Sequence, residues 1–113
     1  MSILKYITST ELTDGSLTSV SDSTNWGIDN AIIKCVYIET NSIDWNLTIY
    51  TDSNPSVGLY GIKIADSLNG NQLLLLDILY IDNDASNSIH CVFVDNQGSN
   101  SGWIEIYGEK AQI

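Results

Sequence analysis

The run Leu73-Leu-Leu-Leu-Asp-Ile-Leu-Tyr-Ile-Asp82 limits the folds open to this chain more than any other stretch. Asn69-Gly70-Asn71 precedes it and Asp82-Asn83-Asp84 follows it, so turn-forming residues bound both ends. It is too short, and too interrupted by Asp77, for a membrane-crossing helix, which needs about 20 apolar residues. Period alone leaves helix and strand both open for such a run. The flanking turns and the β-rich neighbours predict a strand covered on both faces. Leu74, Leu76, Ile78 and Tyr80 make one apolar face, and Leu73, Leu75, Leu79 and Ile81 make the other, broken only by Asp77. Antiparallel sandwiches usually leave one face of a strand wet, and this strand has no polar face to leave. Asp77 decides how that is read. Buried at a contact, it needs a partner such as Lys34 or Lys63. Exposed, it means that the second face is only partly covered, and the case for assembly weakens.

The rest of the chain reads as further short strands. Ile3–Thr8 has strand composition, and Asp14-Gly15 between Leu12-Thr13 and Ser16-Leu17 suits a two-residue hairpin turn. Ser21–Asn30 reads as a polar loop holding Trp26, either tucked over the core or exposed for binding. In Ala31–Glu39, alternation puts Ile33, Cys35 and Tyr37 on one face and Ile32, Lys34, Val36 and Ile38 on the other. Neither face is polar, so this strand is either central or turned toward another subunit. Asp44–Thr51 alternates cleanly, with Trp45, Leu47 and Ile49 pointing inward. Gly58–Ala65 is expected to point Ile62 and Ile64 inward and Lys63 outward. Ser88–Asp95 and Trp103–Tyr107 are expected to form a hairpin across the loop Asn96–Gly102. No segment has a helical period. About eight short strands at this spacing predict an all-β fold: a single antiparallel β-sandwich over residues 1–113, jelly-roll-like, with a seven-stranded immunoglobulin-like sandwich as the alternative. Residues 1–30 are the segment that can serve as an extended N-terminal arm.

Charge narrows the partners. Fourteen acidic residues face four lysines and no arginine, a net charge of −10. Phosphate backbones are bound through Lys and Arg, so neither nucleic acid nor an anionic membrane is an expected partner. Such a surface keeps copies apart in solution, or meets a basic partner, or collects Ca²⁺. The first residues lack the pattern of a signal peptide, and two cysteines are too few for a disulfide scaffold. Cytoplasmic synthesis with free thiols is the expectation.

No residue constellation spells a reaction. Asp82, Asp84 and their neighbours space oxygen ligands as a calcium loop begins, but Asn87 holds the glycine place and Phe93 the bidentate-glutamate place. A turn explains those residues, leaving Asp82 and Asp84 as weak metal candidates. His90 and Cys91 point to opposite faces of one strand and cannot share a metal there, and a zinc site needs three or four such ligands. Cys35 and Cys91 read as buried thiols filling core space, with an inter-strand disulfide as the minority alternative. No nucleophile elbow and no phosphate loop is present, so no enzyme and no cofactor are expected. Trp26, Tyr50, Trp103 and Tyr107 remain as candidate ligand or partner contacts, able to stack on sugar rings or to pack in strands.

Asp44-Trp-Asn-Leu-Thr-Ile-Tyr-Thr-Asp52 and Gly102-Trp-Ile-Glu-Ile-Tyr-Gly108 resemble strands of the small β-sandwich virion proteins of tailed bacteriophages, among them capsid decoration proteins and tail or fibre modules. Tyr80-Ile-Asp82 followed by Ile89-His90 is similar in style. The resemblance implies a structural protein of the virion, without catalytic residues, assembled as a homo-oligomer (a trimer in many such proteins) on a major capsid or tail protein. Carbohydrate or host-receptor binding is the competing expectation.

Overall fold

Eight strands follow one another in the computed structural model, which describes residues 5–21, 31–51, 61–81 and 87–110. They are β1 (Lys5–Leu12), β2 (Leu17–Ser21), β3 (Ala31–Thr40), β4 (Trp45–Tyr50), β5 (Gly61–Leu68), β6 (Gln72–Tyr80), β7 (Ser88–Asp95) and β8 (Gly102–Lys110). Their pairing is nested and antiparallel throughout: β1 with β8, β2 with β7, β3 with β6, β4 with β5. Two further pairings, β3 with β8 and β4 with β7, join these ladders into sheets. The first sheet runs β1-β8-β3-β6 and the second β2-β7-β4-β5. A long antiparallel double strand rolled into two layers gives this order, the jelly roll. It is not the order of an immunoglobulin-like sandwich.

Two expected hairpins are corrected by this roll. Asp14-Gly15 does make a tight reversal, with Gly15 at φ 77° and the Ser16 N–H donating to the Thr13 carbonyl at 3.2 Å. But β1 and β2 lie in different sheets, so the turn carries the chain across the sandwich. The loop after β7 does the same, delivering β8 to the first sheet. Turn residues fix where a chain reverses, and burial of the two inner faces then chooses the partner strand.

Those inner faces alternate as strands should. Val36, Ile38, Ile104 and Ile106 of the first sheet pack toward Trp45, Leu47, Ile49, Ile89 and Phe93 of the second, all essentially without exposed surface. The Trp45 and Phe93 rings lie 5.5 Å apart, and the Trp45 indole N–H donates to the Gly70 carbonyl at 2.9 Å. Tyr80 of β6 is the polar tie between layers. Its hydroxyl lies 2.9 Å from the Ser88 carbonyl and 3.0 Å from that of Tyr50, and accepts the His90 N–H at 3.3 Å.

Strict alternation fails in β3, which carries a bulge. Register with β8 slips between Ile33 and Cys35, where β3 advances two residues while β8 advances one, Gly108 to Tyr107. Ala31, Ile33, Val36 and Ile38 therefore all point inward, and Lys34 and Cys35 sit together on the outer side. The expected face grouping of this strand is corrected accordingly. Of the expected strand Gly58–Ala65, residues 58–60 lie outside the described residues; the described strand Gly61–Leu68 runs past Ala65, and Ile62, opposite inward-facing Ile49, is half exposed because β5 is a sheet edge.

Cys35 and Cys91 are both buried, unbridged thiols, but Cys35 lies on the outer side of β3 and not in the core where it was expected. Cys91 fills core space on β7, and burial pushes its thiol up to about 12. His90, on the opposite face of β7, is buried and pairs through Nδ1 with the Ser19 hydroxyl at 2.7 Å.

The loop following β7 is organised by Asp95. Its carboxylate accepts from the Gln97 N–H (3.0 Å), the Asn100 N–H (2.9 Å), the Ser42 hydroxyl (2.8 Å) and the Asn100 amide (3.1 Å). The Gln97 N–H, ahead of that of Asn100, holds its carboxyl at about 2. A carboxylate held below its ordinary value stabilises the fold above that ordinary value, and the contribution is lost as pH falls through the folded value. Asp95→Asn is expected to lower the urea midpoint at neutral pH, and the gap from the parent chain to narrow between about pH 4 and about pH 2. A gap that stays constant from neutral pH to about pH 2 contradicts this role.

Candidate functional site

The outer face of the first sheet brings together more chemistry than any other described surface. It starts at β6, the sheet's edge. Leu73, Leu75 and Leu79 point outward with 61, 81 and 52 % of their surface exposed, and Ile81 continues the line at 46 %. The strand that was expected to be covered on both faces is thus covered on one. The parity of its residues is the expected one, because nothing interrupts alternation from Gln72 to Tyr80. The inward residues Leu74, Leu76 and Ile78 pack on the core.

Across the sheet the outward residues form rows. Leu73 faces Tyr37, which faces Glu105; Leu75 faces Cys35, which faces Tyr107; Leu79 faces Ile32, which faces Glu109. Asp77 breaks the leucine line and is met by Lys34, whose Nζ lies 2.9 Å from Oδ1. The Asp77 side chain keeps 76 % of its surface exposed. The hydrogen bond to Asp77, with the neighbouring charge of Glu109 at 4.0 Å, raises the Lys34 pKa. Of the two lysines expected as partners, Lys34 is the one used, and Lys63 lies near Asp66 at 3.8 Å instead. A pair this exposed contributes little to stability. Its effect is to keep Asp77 in place among leucines.

β8 supplies an aromatic and acidic stripe on the same face. Trp103, Glu105, Tyr107 and Glu109 alternate outward while Ile104 and Ile106 fill the core. The Trp103 indole N–H donates to Glu105 Oε2 at 3.0 Å, and the Tyr107 hydroxyl donates to Oε1 at 2.9 Å. One carboxylate thereby fixes two rings. Trp103 lies in register between Glu11 of β1 and Glu39 of β3. These residues, with Thr40, Asn41, Asn71 and Ser101, line a shallow cleft of about 310 Å³ at one end of the sheet. Asn71 Oδ1 accepts the Thr40 N–H at 2.9 Å, so the amide side of the cleft is tied to β3. The described outer side chains of this face carry five carboxylates, Glu11, Glu39, Asp77, Glu105 and Glu109, against the single ammonium of Lys34.

Of the residues singled out in the sequence, Trp103 and Tyr107 come together here. Tyr50 does not: it lies on β4 in the other sheet, its ring so close to Gly61 that a Cβ there would sit 2.5 Å from Cε1. Trp26, Asp82 and Asp84 lie outside the described residues. Among the described residues, no three His, Cys, Asp or Glu side chains are grouped to hold a metal ion. Sequence reading passed over Glu11, Glu39 and Glu105. The signal for Glu105 was present in the alternation Trp103-Ile-Glu-Ile-Tyr107, which puts it between two outward rings. Glu11 and Glu39 depend on strand order, which no local pattern carries.

No family model matches this chain, and no curated protein matches it. Among solved structures, one described as "Structure of infectious bursal disease virus Gx strain" is similar over 95 % of this chain, at 12 % identity and a TM-score of 0.40. This chain spans 33 % of the length of that one. No residue role is carried across.

Proposed function

We propose that this chain is a non-enzymatic structural protein of a virion, most specifically a bacteriophage capsid-decorating domain, that works by adhesion to a protein lattice. The observation that supports this best is the leucine edge of β6. Soluble monomers rarely leave a row of large apolar side chains, here broken only by Asp77, in water along a sheet edge, because that row and the backbone edge beside it recruit other chains. Burying Leu73, Leu75 and Leu79 against a lattice protein stabilises the contact by roughly 25 cal/mol for each Å² of apolar surface covered. Lectins and capsid proteins share the jelly roll, so the fold by itself does not choose between them. The exposed leucines of the edge favour assembly, while exposed Asp77 leaves that face only partly apolar and weakens the case to that extent. On this reading the chain is bound as a homo-oligomer, with three copies as the expected number, on the major capsid or tail protein, and it resides in the virion.

The test is the composition of particles that package the genome encoding this chain. The chain is expected in purified particles at a stoichiometry fixed by the lattice, and to be lost when Leu75 and Leu79 are both changed to Glu. Its absence from the particles overturns the proposal. Light scattering on the purified protein tests the oligomer, and a strictly monomeric species at high concentration removes that part.

A second reading, carbohydrate or host-receptor binding, is favoured by Trp103 in its cleft beside Glu11, Glu39, Asn41 and Asn71. An indole face with carboxylate and amide groups around it suits a sugar ring. Tryptophan fluorescence indifferent to a panel of added glycans sets that reading aside.

A further inference from the structure

Among the four sheet edges, β6 differs from the other three. β2 is five residues long and mostly Ser and Thr. β5 carries exposed Lys63 and Asp66, has Ser67 at φ 55°, and slips register twice against β4. β1 slips register between Tyr6 and Thr8 and points Glu11 outward. These are the devices by which natural sheets blunt their edges. β6 also slips register against β3, between Ile78 and Leu75, but it has nine residues, no proline, no lysine and unbroken side-chain alternation, and its other side is already held by β3. Its one charge is Asp77, at the centre of the strand.

We propose that the outer edge of β6 receives an added strand from a partner protein, an extended segment that places a Lys or Arg opposite Asp77 and apolar side chains opposite Leu75 and Leu79. The proposal rests on the adhesive reading above and names the chemistry of its contact. In strand addition the backbone hydrogen bonds supply affinity, and alternate side chains supply choice of partner. Here the alternate side chains read apolar, acidic, apolar. Lys34 takes Oδ1 of Asp77, and the carboxylate stays open enough to accept a second cation. The incoming cation also approaches a face whose described side chains carry five carboxylates and one ammonium, and opposite charge steers it in.

A second copy of this chain fits that edge poorly. Each copy carries −10. Every register that sets outward residues of two β6 strands opposite one another puts Asp77 against Asp77, or against a leucine or isoleucine. None puts it against a cation. The acidic centre of the strand thus works against self-pairing and for a basic partner, a use of charge to exclude the wrong neighbour.

Labelled nine-residue peptides test this directly. One has Lys at its centre and Val two residues to either side. A second has Glu at the centre, and a third has alternate backbone nitrogens of the Lys peptide methylated. The Lys peptide is expected to bind the intact chain, to slow hydrogen exchange at β6 amides, and to lose about tenfold in affinity in high salt. Asp77→Lys is expected to reverse the preference, binding the Glu peptide at least about tenfold more tightly than the Lys peptide. Methylation at the nitrogens facing β6 is expected to abolish binding. Binding that ignores Asp77→Lys or backbone methylation overturns the proposal, as does failure of every peptide to bind. A dimer of the chain alone that protects β6 amides also overturns it, since a second copy then holds the edge. Presence on virions together with failed peptide binding refutes this inference alone. Peptide binding by a chain absent from virions refutes the virion role alone.

Discussion

Gly108→Ala is expected to cost about 3 kcal/mol of stability, at the upper end for overpacking by one methyl group. Gly108 lies on β8 opposite Ile33, beside the bulge of β3. A Cβ at this position would sit 2.3 Å from the Ile32 carbonyl oxygen and 2.8 Å from Ile7 Cδ1. The side chain of Ile7 can turn aside. The carbonyl belongs to the backbone of a strand bonded on both edges, and moving it pulls on β6 and β8 together. The informative comparison is Gly70→Ala. Gly70 has φ 66° and nothing within 4 Å of a built Cβ, so that change carries only the strain of a left-handed residue, about 1 kcal/mol. Urea midpoints of the two variants, with unchanged slopes, are expected to separate by about 1 M or more. Equal midpoints would mean that β3 and β8 do not approach as closely as the bulge requires.

Trp45→Ala is expected to be at least as damaging, about 3–5 kcal/mol. The indole is fully buried, packs against Phe93, and holds the Gly70 carbonyl through its N–H. Removing it opens a cavity in the second sheet and leaves that carbonyl without its donor. The turn at Gly70, whose N–H donates to the Ser42 carbonyl at 2.8 Å, then loses one of its ties. Domains are stable by only about 5–15 kcal/mol, so a large part of the total is lost. Trp45→Phe keeps a ring against Phe93 and gives up the hydrogen bond. It is expected to fall between the parent and Trp45→Ala in thermal unfolding followed by far-ultraviolet circular dichroism. A Trp45→Ala variant that melts with the parent contradicts the placement of this ring at the centre of the core.

The strands were legible in the sequence wherever side-chain alternation and turn residues agreed. The Trp45, Leu47, Ile49 face and the two faces of Leu73–Ile81 came directly from parity. β3 misled because a bulge adds one residue to one strand, and no local composition marks it; its one external sign is Gly108, distant in sequence. The hairpins misled for a related reason. Asp14-Gly15 encodes a reversal, while the choice between pairing with the preceding strand and crossing to the other sheet is made by the whole core. The site was half legible. Trp103 and Tyr107 were named from residue type, but the company of Glu11 and Glu39 follows from β8 lying between β1 and β3. That β6 would be an edge and expose its leucines likewise follows from strand order.

Strand order also sets the sequence of events in synthesis. β8 is made after all the others, yet it occupies the interior of the first sheet, between β1 and β3. Until Gly102–Lys110 has been made, β1 has no strand to pair with in its sheet, and β3 has one edge open. Contacts this distant along the chain close slowly, because the intervening chain must first be ordered. If β3 and β6 pair during that interval, they make an apolar two-stranded ribbon with both edges open, the kind of species that associates wrongly when chains are crowded. The strong negative charge then has a use before the protein is folded, in keeping incomplete copies apart.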